Sequence, residues 1–452
     1  MPLRDRLEEV KNGKVKAPII TPKVGIMENV VYQELKSRIH RKLLDRVDLI
    51  MMESMGSERL HEELKMLVER LLSEEDIAIN TAERANLVRD IQHEVLGLGP
   101  LEVLMADPTI SDILVNTYRQ VYIERSGKLE LSNIQFENEA HLMKIIDKIV
   151  SGVGRRIDES SPMVDARLPD GSRVNAIIPP LAVDGAILSI RRFALTPLLM
   201  KDFLQSKSLT PEMAEILEGL VKAKVNLLIS GGTGTGKTTL LNVLSSNIPA
   251  NERIITIEDA AELQLQQPHV VRLEIRPPNI EGKGEVTPRM LVRNSLRMRP
   301  DRIIVGEVRG AEVVDMLQAM NTGHEGSMAT VHANTPRDAL TRLENMIGMA
   351  GFNLPPKAMR EQVSSALSAV VHISRLSDGK RKVTSIKEIT GMEGDVITMQ
   401  DIFVYEQTGV APTGEVTGHF KATGIFPKFV ERLRTRGINV PDTLFDPTQI
   451  YE

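Results

Sequence analysis

The chain has 452 residues, 42% of them apolar and 26% charged, with 56 Lys and Arg against 61 Asp and Glu for a net charge of −5. That length supports two or three domains with sizeable cores, and the composition excludes wholesale disorder. The acid excess argues against a protein that coats nucleic acid, and a chain with no cysteine has no disulfides, thiolate zinc sites or cysteine nucleophiles.

Residues 1–34 lack a regular apolar pattern and read as a mobile tail. The opening MPLRDRLEEVKNGK has no apolar stretch after its charges, so it is not a secretory signal. No apolar run approaches the roughly 18 residues of a spanning helix. Over 35–98, Leu35, Ile39 and Leu43, then Leu60, Leu64, Leu67 and Leu71, then Leu87, Ile91 and Val95 recur at helical spacing. Three amphipathic helices follow, placed to bury one another as a small bundle or to clasp a partner helix, the last stopped by GLGP at 97–100. Residues 99–200 alternate short β-like runs with turns around one helix, and PDGS at 169–172 marks a hairpin. A compact α+β domain is expected there.

From 201 to 452 strands and helices alternate: VNLLIS, RIITIED, VVRLEI, RIIVGEV and SMATVHA, each followed by a turn or helix. This is an α/β pattern, a mostly parallel sheet with helices on both faces. KRKVTSIKEITGMEGDVITMQDIFVYE closes it as a hairpin about Met-Glu-Gly-Asp.

The chemistry gathers in four places. GGTGTGKTT at 231–239 fits a phosphate-binding loop between a strand and a helix. Gly232, Thr233, Gly234, Thr235, Gly236, Lys237, Thr238 and Thr239 would line it, with Lys237 reaching the β- and γ-phosphates and the Thr238 hydroxyl on Mg²⁺. TIEDAAELQL places Glu258, Asp259 and Glu262 just past a strand, where a carboxylate could hold magnesium's water shell or orient a water, against the plainer reading of acids favoured at a helix N-terminus. RIIVGEVRG, 302–310, puts Gly306 where a magnesium-binding Asp is usual and delivers Glu307 one residue late. Glu307 is the candidate to polarise the attacking water, against the plainer reading of an acid paired with Arg309. TGHEGSMATVHANT carries His324 and His332; no cysteine or clear third ligand accompanies them as metal ligands, and they are candidates to sense a phosphate or to serve as structural histidines. Arg289, Arg293 and Arg297 share a helical face, Arg167 and Arg173 bracket the hairpin turn, and Arg191 and Arg192 follow ILSI.

These boxes, in this order, resemble the signature of the secretion ATPase superfamily that powers type II and type IV secretion and type IV pili. The C-terminal EITGMEGDVITMQDIFVYE and the extra N-terminal helices resemble the CpaF-type ATPases of tight-adherence (Tad/Flp) pili. The resemblance implies a RecA-like motor domain over 201–452, a PAS-like α+β domain over 99–200 and a helical bundle before it. It implies ATP and Mg²⁺ as ligands, the metal held by Thr238 and by Glu258 directly or through water. A homo-hexamer on the cytoplasmic face of the inner membrane, contacting pilus platform proteins and no nucleic acid, is expected. The catalytic set would be Lys237, Glu307, Glu258, Glu262, His324 and His332, with Arg167 and Arg173 reaching the phosphates, Arg293 and Arg297 as possible helpers, and Arg191 and Arg192 near adenine. The tetracysteine zinc insert of several relatives is missing. The alternatives to an ATP-driven pilus motor are a nucleic-acid translocase and a non-hydrolysing nucleotide-dependent scaffold.

Overall fold

A computed structural model of the protein describes residues 26–46, 57–75, 79–125, 127–192, 197–278, 282–351 and 354–451. They form two compact units: one runs to residue 124 and includes 129–166 and 174–190, the other comprises 125–128, 167–173 and 191–452. Among the described residues, no helix is long and apolar enough to cross a membrane.

The first unit begins with helices α1 (Ile26–Arg46), α2 (Ser57–Ser73) and α3 (Thr81–Leu96). The tail expected over 1–34 lies outside the described residues up to position 25, and α1 starts at Ile26. Leu35, Ile39, Leu43, Leu64, Val68, Leu71, Leu87 and Ile91 close into one apolar core. These are the positions whose helical spacing puts them on facing stripes. Asn80 caps α3 in a reciprocal pair with Glu83. After the short α4 (Glu102–Met105) come β1 (Ile110–Thr117), β2 (Gln120–Arg125), β3 (Lys128–Leu131), α5 (Glu139–Gly152), β4 (Met163–Arg167), β5 (Arg173–Ile177) and β6 (Ile187–Arg191). The six strands form a sheet in the order β3-β2-β1-β6-β5-β4.

A buried carboxylate ties α1, α3 and α5 together. Glu94 accepts from Lys36 at 2.6 Å and lies 2.9 Å from His141 Nε2. Lys148 meanwhile donates to the Val95 and Gly97 carbonyls that end α3. Burial works against ionisation, but His141 and Lys36 outweigh it and hold the Glu94 carboxyl at about 2. A carboxyl depressed on folding stabilises above its unfolded value, near 4.5, and that stabilisation fades as pH falls toward 2. Glu94→Gln is therefore expected to cost about 2 kcal/mol at neutral pH and less below pH 3. A pH series of melting curves for the two proteins checks this; an offset that stays constant down to pH 2 would argue against it.

The second unit holds α6 (Met200–Gln205), α7 (Pro211–Lys222), β7 (Leu227–Gly231), α8 (Lys237–Ser245), β8 (Ile254–Glu258), β9 (Val270–Glu274), α9 (Pro288–Ser295), β10 (Arg302–Val308), α10 (Glu312–Asn321), β11 (Met328–His332), α11 (Pro336–Met349) and α12 (Pro356–Ala366). It continues with β12 (Ala369–Arg375), β13 (Arg381–Glu393), β14 (Val396–Val410), β15 (Val416–Ala422), α13 (Phe429–Thr435) and β16 (Ile450–Tyr451). Its ten-stranded sheet has the order β16-β15-β14-β13-β12-β7-β11-β10-β8-β9. The six strands from β12 to β9 are parallel, as the α/β pattern requires.

Alternation distributes the side chains to two cores. Leu227, Ile229 and Ile304 face the cluster that includes Leu240 and Leu244 of α8. Leu228, Ile303 and Val305 face the cluster built on α10 to α12. The C-terminal segment goes beyond the expected hairpin: β13 and β14 do pair about Gly394–Asp395, but β12, β15 and β16 extend the sheet on either side of them. The fold is therefore the expected RecA-like α/β type with an antiparallel wing.

Candidate active site

Because β7 to β12 are parallel, their C-terminal ends share one edge, the edge at which ligands bind in such sheets. Gly231, Glu258, Glu274, His332 and Arg375 each end one of these strands, and Glu307 stands one residue from the end of β10.

The loop 231–236 turns through left-handed residues Gly234 (φ +68°) and Gly236 (φ +96°) into α8. Gly231 is required by contact, since a Cβ there would stand 2.4 Å from the Ile373 carbonyl oxygen of β12. α7, α9 and α11 are each capped by a Thr side chain, whereas α8 has no side-chain cap and no acid in its first turn. Its N–H groups are left for an anion. Lys237 is buried and donates to the Gly232 carbonyl at 2.8 Å, which keeps its ammonium inside the loop. Burial lowers its pKa, with Glu307 opposing.

The acid in RIIVGEV owes its position to a bulge. Val305 pairs with Ala329 and Val308 with Val331, so Gly306 and Glu307 together oppose Thr330. Under strict alternation Glu307 would share the face of Val305. The extra residue shifts the parity: Val308 rejoins the Val305 core, and Glu307 turns to the α8 face with the P-loop. Thr330 Oγ1 donates to the Gly306 carbonyl at 2.6 Å and holds the bulge.

Gly306 also answers to its neighbour. Its missing Cβ would lie 2.9 Å from Glu258 Cγ. The place where an Asp side chain is usual is filled by Glu258 from the adjacent β8. Glu258 is buried; its Oε2 accepts the N–H groups of Glu262 and Leu263, and its Oε1 has no partner. Burial raises its pKa against those two N–H bonds.

Around Glu307 the charges converge. Arg309 donates to Glu307 at 2.8 Å and reaches Asp259 at 2.7 Å, bridging the two acidic boxes. His332 lies between the loop and the acid, 2.9 Å from Thr233 Oγ1 and 3.6 Å from Glu307 Oε1. Burial opposes ionisation of Glu307, but Arg309, Lys237 and His332 outweigh it and hold its carboxyl below the usual range. Burial and Lys237 lower the pKa of His332, with Glu307 opposing. The pairing with Arg309 is the plainer reading of Glu307; the bulge and the nearness of Lys237 and His332 are what that reading leaves out.

The other candidates are placed as follows. Glu262 lies 3.6 Å from Arg173. Arg167 donates to Glu274 at 2.5 Å and to the Ala261 carbonyl at 2.6 Å. Arg289 pairs with Asp315 of α10 at 2.7 Å, with Arg293 at 3.9 Å; Arg297 falls beyond α9 and donates to the Arg293 carbonyl. Arg191 ends β6 and Arg192 follows it. His324 is not brought to the P-loop: it precedes β11, so it stands at the opposite edge of the sheet from Gly231, its Nδ1 buried without a partner. Glu274 was missed, although an acid closing an apolar strand is the same signal that marks Glu258.

The residues fit a nucleoside polyphosphate with its magnesium. The uncapped α8, the glycine cradle and the unpartnered Glu258 Oε1 all await polar partners. Among the described residues no group of three or more His, Asp or Glu side chains gathers as a metal cluster. Magnesium at phosphates keeps much of its water and needs only one or two protein oxygens.

The family described as "Type II/IV secretion system protein" matches residues 94–419. The chain belongs to the type II/IV secretion system protein family. A putative conjugal transfer protein of Mycobacterium tuberculosis is 39% identical to the chain over 323 residues, covering 70% of this chain and 91% of the relative. The conjugal transfer protein TrbB of Rhizobium radiobacter is 33% identical, covering 68% and 91%. The type IV secretion system protein VirB11 of Brucella suis is 32% identical, covering 61% and 84%. Among solved structures, the chain is similar to the VirB11 ATPase of Brucella suis (31% identity, TM-score 0.36, 64% of this chain and 93% of that one) and to the pilus retraction motor PilT with ADP (18%, TM-score 0.46, 75% and 86%).

Proposed function

We propose that this secretion-family protein is a Mg²⁺-dependent ATP hydrolase that works as a homo-hexamer on an inner-membrane platform, driving assembly of Tad-type pili or secretion. The observation that carries the reading is the meeting of Lys237, Thr233, His332 and Glu307 at one sheet edge. A phosphate chain would enter the loop between Gly232 and Thr239, and Lys237 would exchange the Gly232 carbonyl for β- and γ-phosphate oxygens. Thr238 would hold magnesium, with Glu258 reaching its water shell; the metal would neutralise phosphate charge. Glu307, released from Arg309, would orient the attacking water and take its proton. His332, touching both the loop and the acid, would register the γ-phosphate. Glu262 and Asp259 shape the carboxylate edge, and Arg167 and Arg173 would contribute cations to the phosphates. Arg191 and Arg192 would lie near the base.

Support for the Tad-type assignment comes from the three helices that precede most of the matched region, the absence of cysteine and the C-terminal wing. The conjugal transfer and type IV secretion relatives support a role in secretion or transfer. Lys237→Ala tests the reading. Loss of both ADP binding and ATP turnover, with an unchanged melting curve, is expected; retained turnover would rule out the loop as the catalytic phosphate site.

A further inference from the structure

The antiparallel wing approaches the phosphate loop, and no motif points to it. Strands β12 and β13 form a hairpin in which Arg375 pairs with Arg381 across the register. Its tip is closed by backbone bonds between Leu376 and Lys380 and by Gly379 at φ +88°. Asp378 fixes it further by accepting the N–H groups of Lys380 and Val416. The hairpin is thus rigid where it meets the loop. Arg381 Nε donates to the Gly234 carbonyl at 3.1 Å, and its Cδ would stand 3.4 Å from a Cβ on Gly236.

A planar trans peptide points its C=O and the next N–H in opposite directions. A guanidinium that draws the Gly234 carbonyl toward the hairpin therefore turns the Thr235 N–H away from it. Thr235 stands at the centre of the cradle, and its hydroxyl already bonds back to the Gly232 carbonyl. The same guanidinium joins Lys237 and Arg375, whose Nη1 would stand 3.8 Å from a Cβ on Gly234, as a cation beside the loop, on the side of the sheet away from Glu307. Arginine suits this place because Nε can hold the carbonyl while the two Nη groups remain to meet a phosphate oxygen.

We infer that Arg381 is a positioning residue for nucleoside polyphosphate binding: it presets the Gly234–Thr235 peptide and adds a cation to the cradle in cis. The inference rests on the reading of 231–239 as a nucleotide loop. Calorimetric titration with ADP, which needs no turnover, tests it. Arg381→Ala should weaken ADP about tenfold, the effect of one charge-assisted hydrogen bond. In steady-state assays the same change should raise KM for ATP and leave kcat within about twofold. Arg381→Lys should recover part of the affinity, since charge returns without the fork. Lys380→Ala, which loses the ion pair to Glu415 on the same hairpin, should bind ADP as the wild type does. Wild-type affinity in Arg381→Ala would overturn the inference and leave the loop's role standing. No ADP binding by the wild type would overturn both.

Discussion

Glu307→Gln is expected to keep nucleotide binding and lower phosphate release by about 10²- to 10⁴-fold, the range for losing a general base. The amide has nearly the same shape, so the bulge at 306–307 and the contact with Arg309 need not change. What disappears is the capacity to take a proton. Glu307 is the right group for this because the bulge turns it to the α8 face, where His332 Nδ1 is 3.6 Å away and Lys237 is an electrostatic neighbour. Its low pKa makes it a weak base while Arg309 holds it, so the account requires that ion pair to loosen when nucleotide binds. Full turnover in the glutamine variant would reduce Glu307 to the surface partner of Arg309.

Gly306→Asp is expected to damage the protein, although it writes the usual magnesium-binding residue into the strand. Its Cβ would stand 2.9 Å from Glu258 Cγ in a buried position, and its carboxylate would be set against another carboxylate. Overpacking and uncompensated like charge together cost on the order of 3 kcal/mol. That lowers the melting temperature of the second unit by roughly 5–10 °C. Gly306→Ala brings the contact without the charge. In a Glu258→Ala background the alanine at 306 should cost much less, because the clash has been removed. Additive effects of the two alanine changes would show that Glu258 does not fill the space beside Gly306.

Five of the six parallel strands of the second unit were legible because each is a short, mainly apolar run set off by turns or helices, a pattern that survives in linear sequence; β12, which follows directly on α12, was not. The spacing of Leu35, Ile39, Leu43 and their counterparts likewise exposed the helical core. The reason for Gly306 was not legible, since it depends on β8 lying beside β10 in a particular register. His324 and His332 are eight positions apart, yet β11 places about 17 Å of strand between them, so one motif spans both sheet edges. Arg381 lies 147 positions from Gly234 and meets it only through the hairpin that carries β12 back along β13. Local pattern reports which residues end a strand; it does not report which distant strand lies alongside.

On the proposed function, this sheet edge hydrolyses ATP with Glu307 as the base. Inorganic phosphate released from Mg²⁺-ATP, followed over many turnovers for the wild type and Glu307→Gln at matched nucleotide occupancy, measures it directly. Sustained release by the wild type is expected, with release at least a hundredfold slower from the variant. Equal rates from the two proteins, or ATP that stays bound and intact on the wild type, would contradict it.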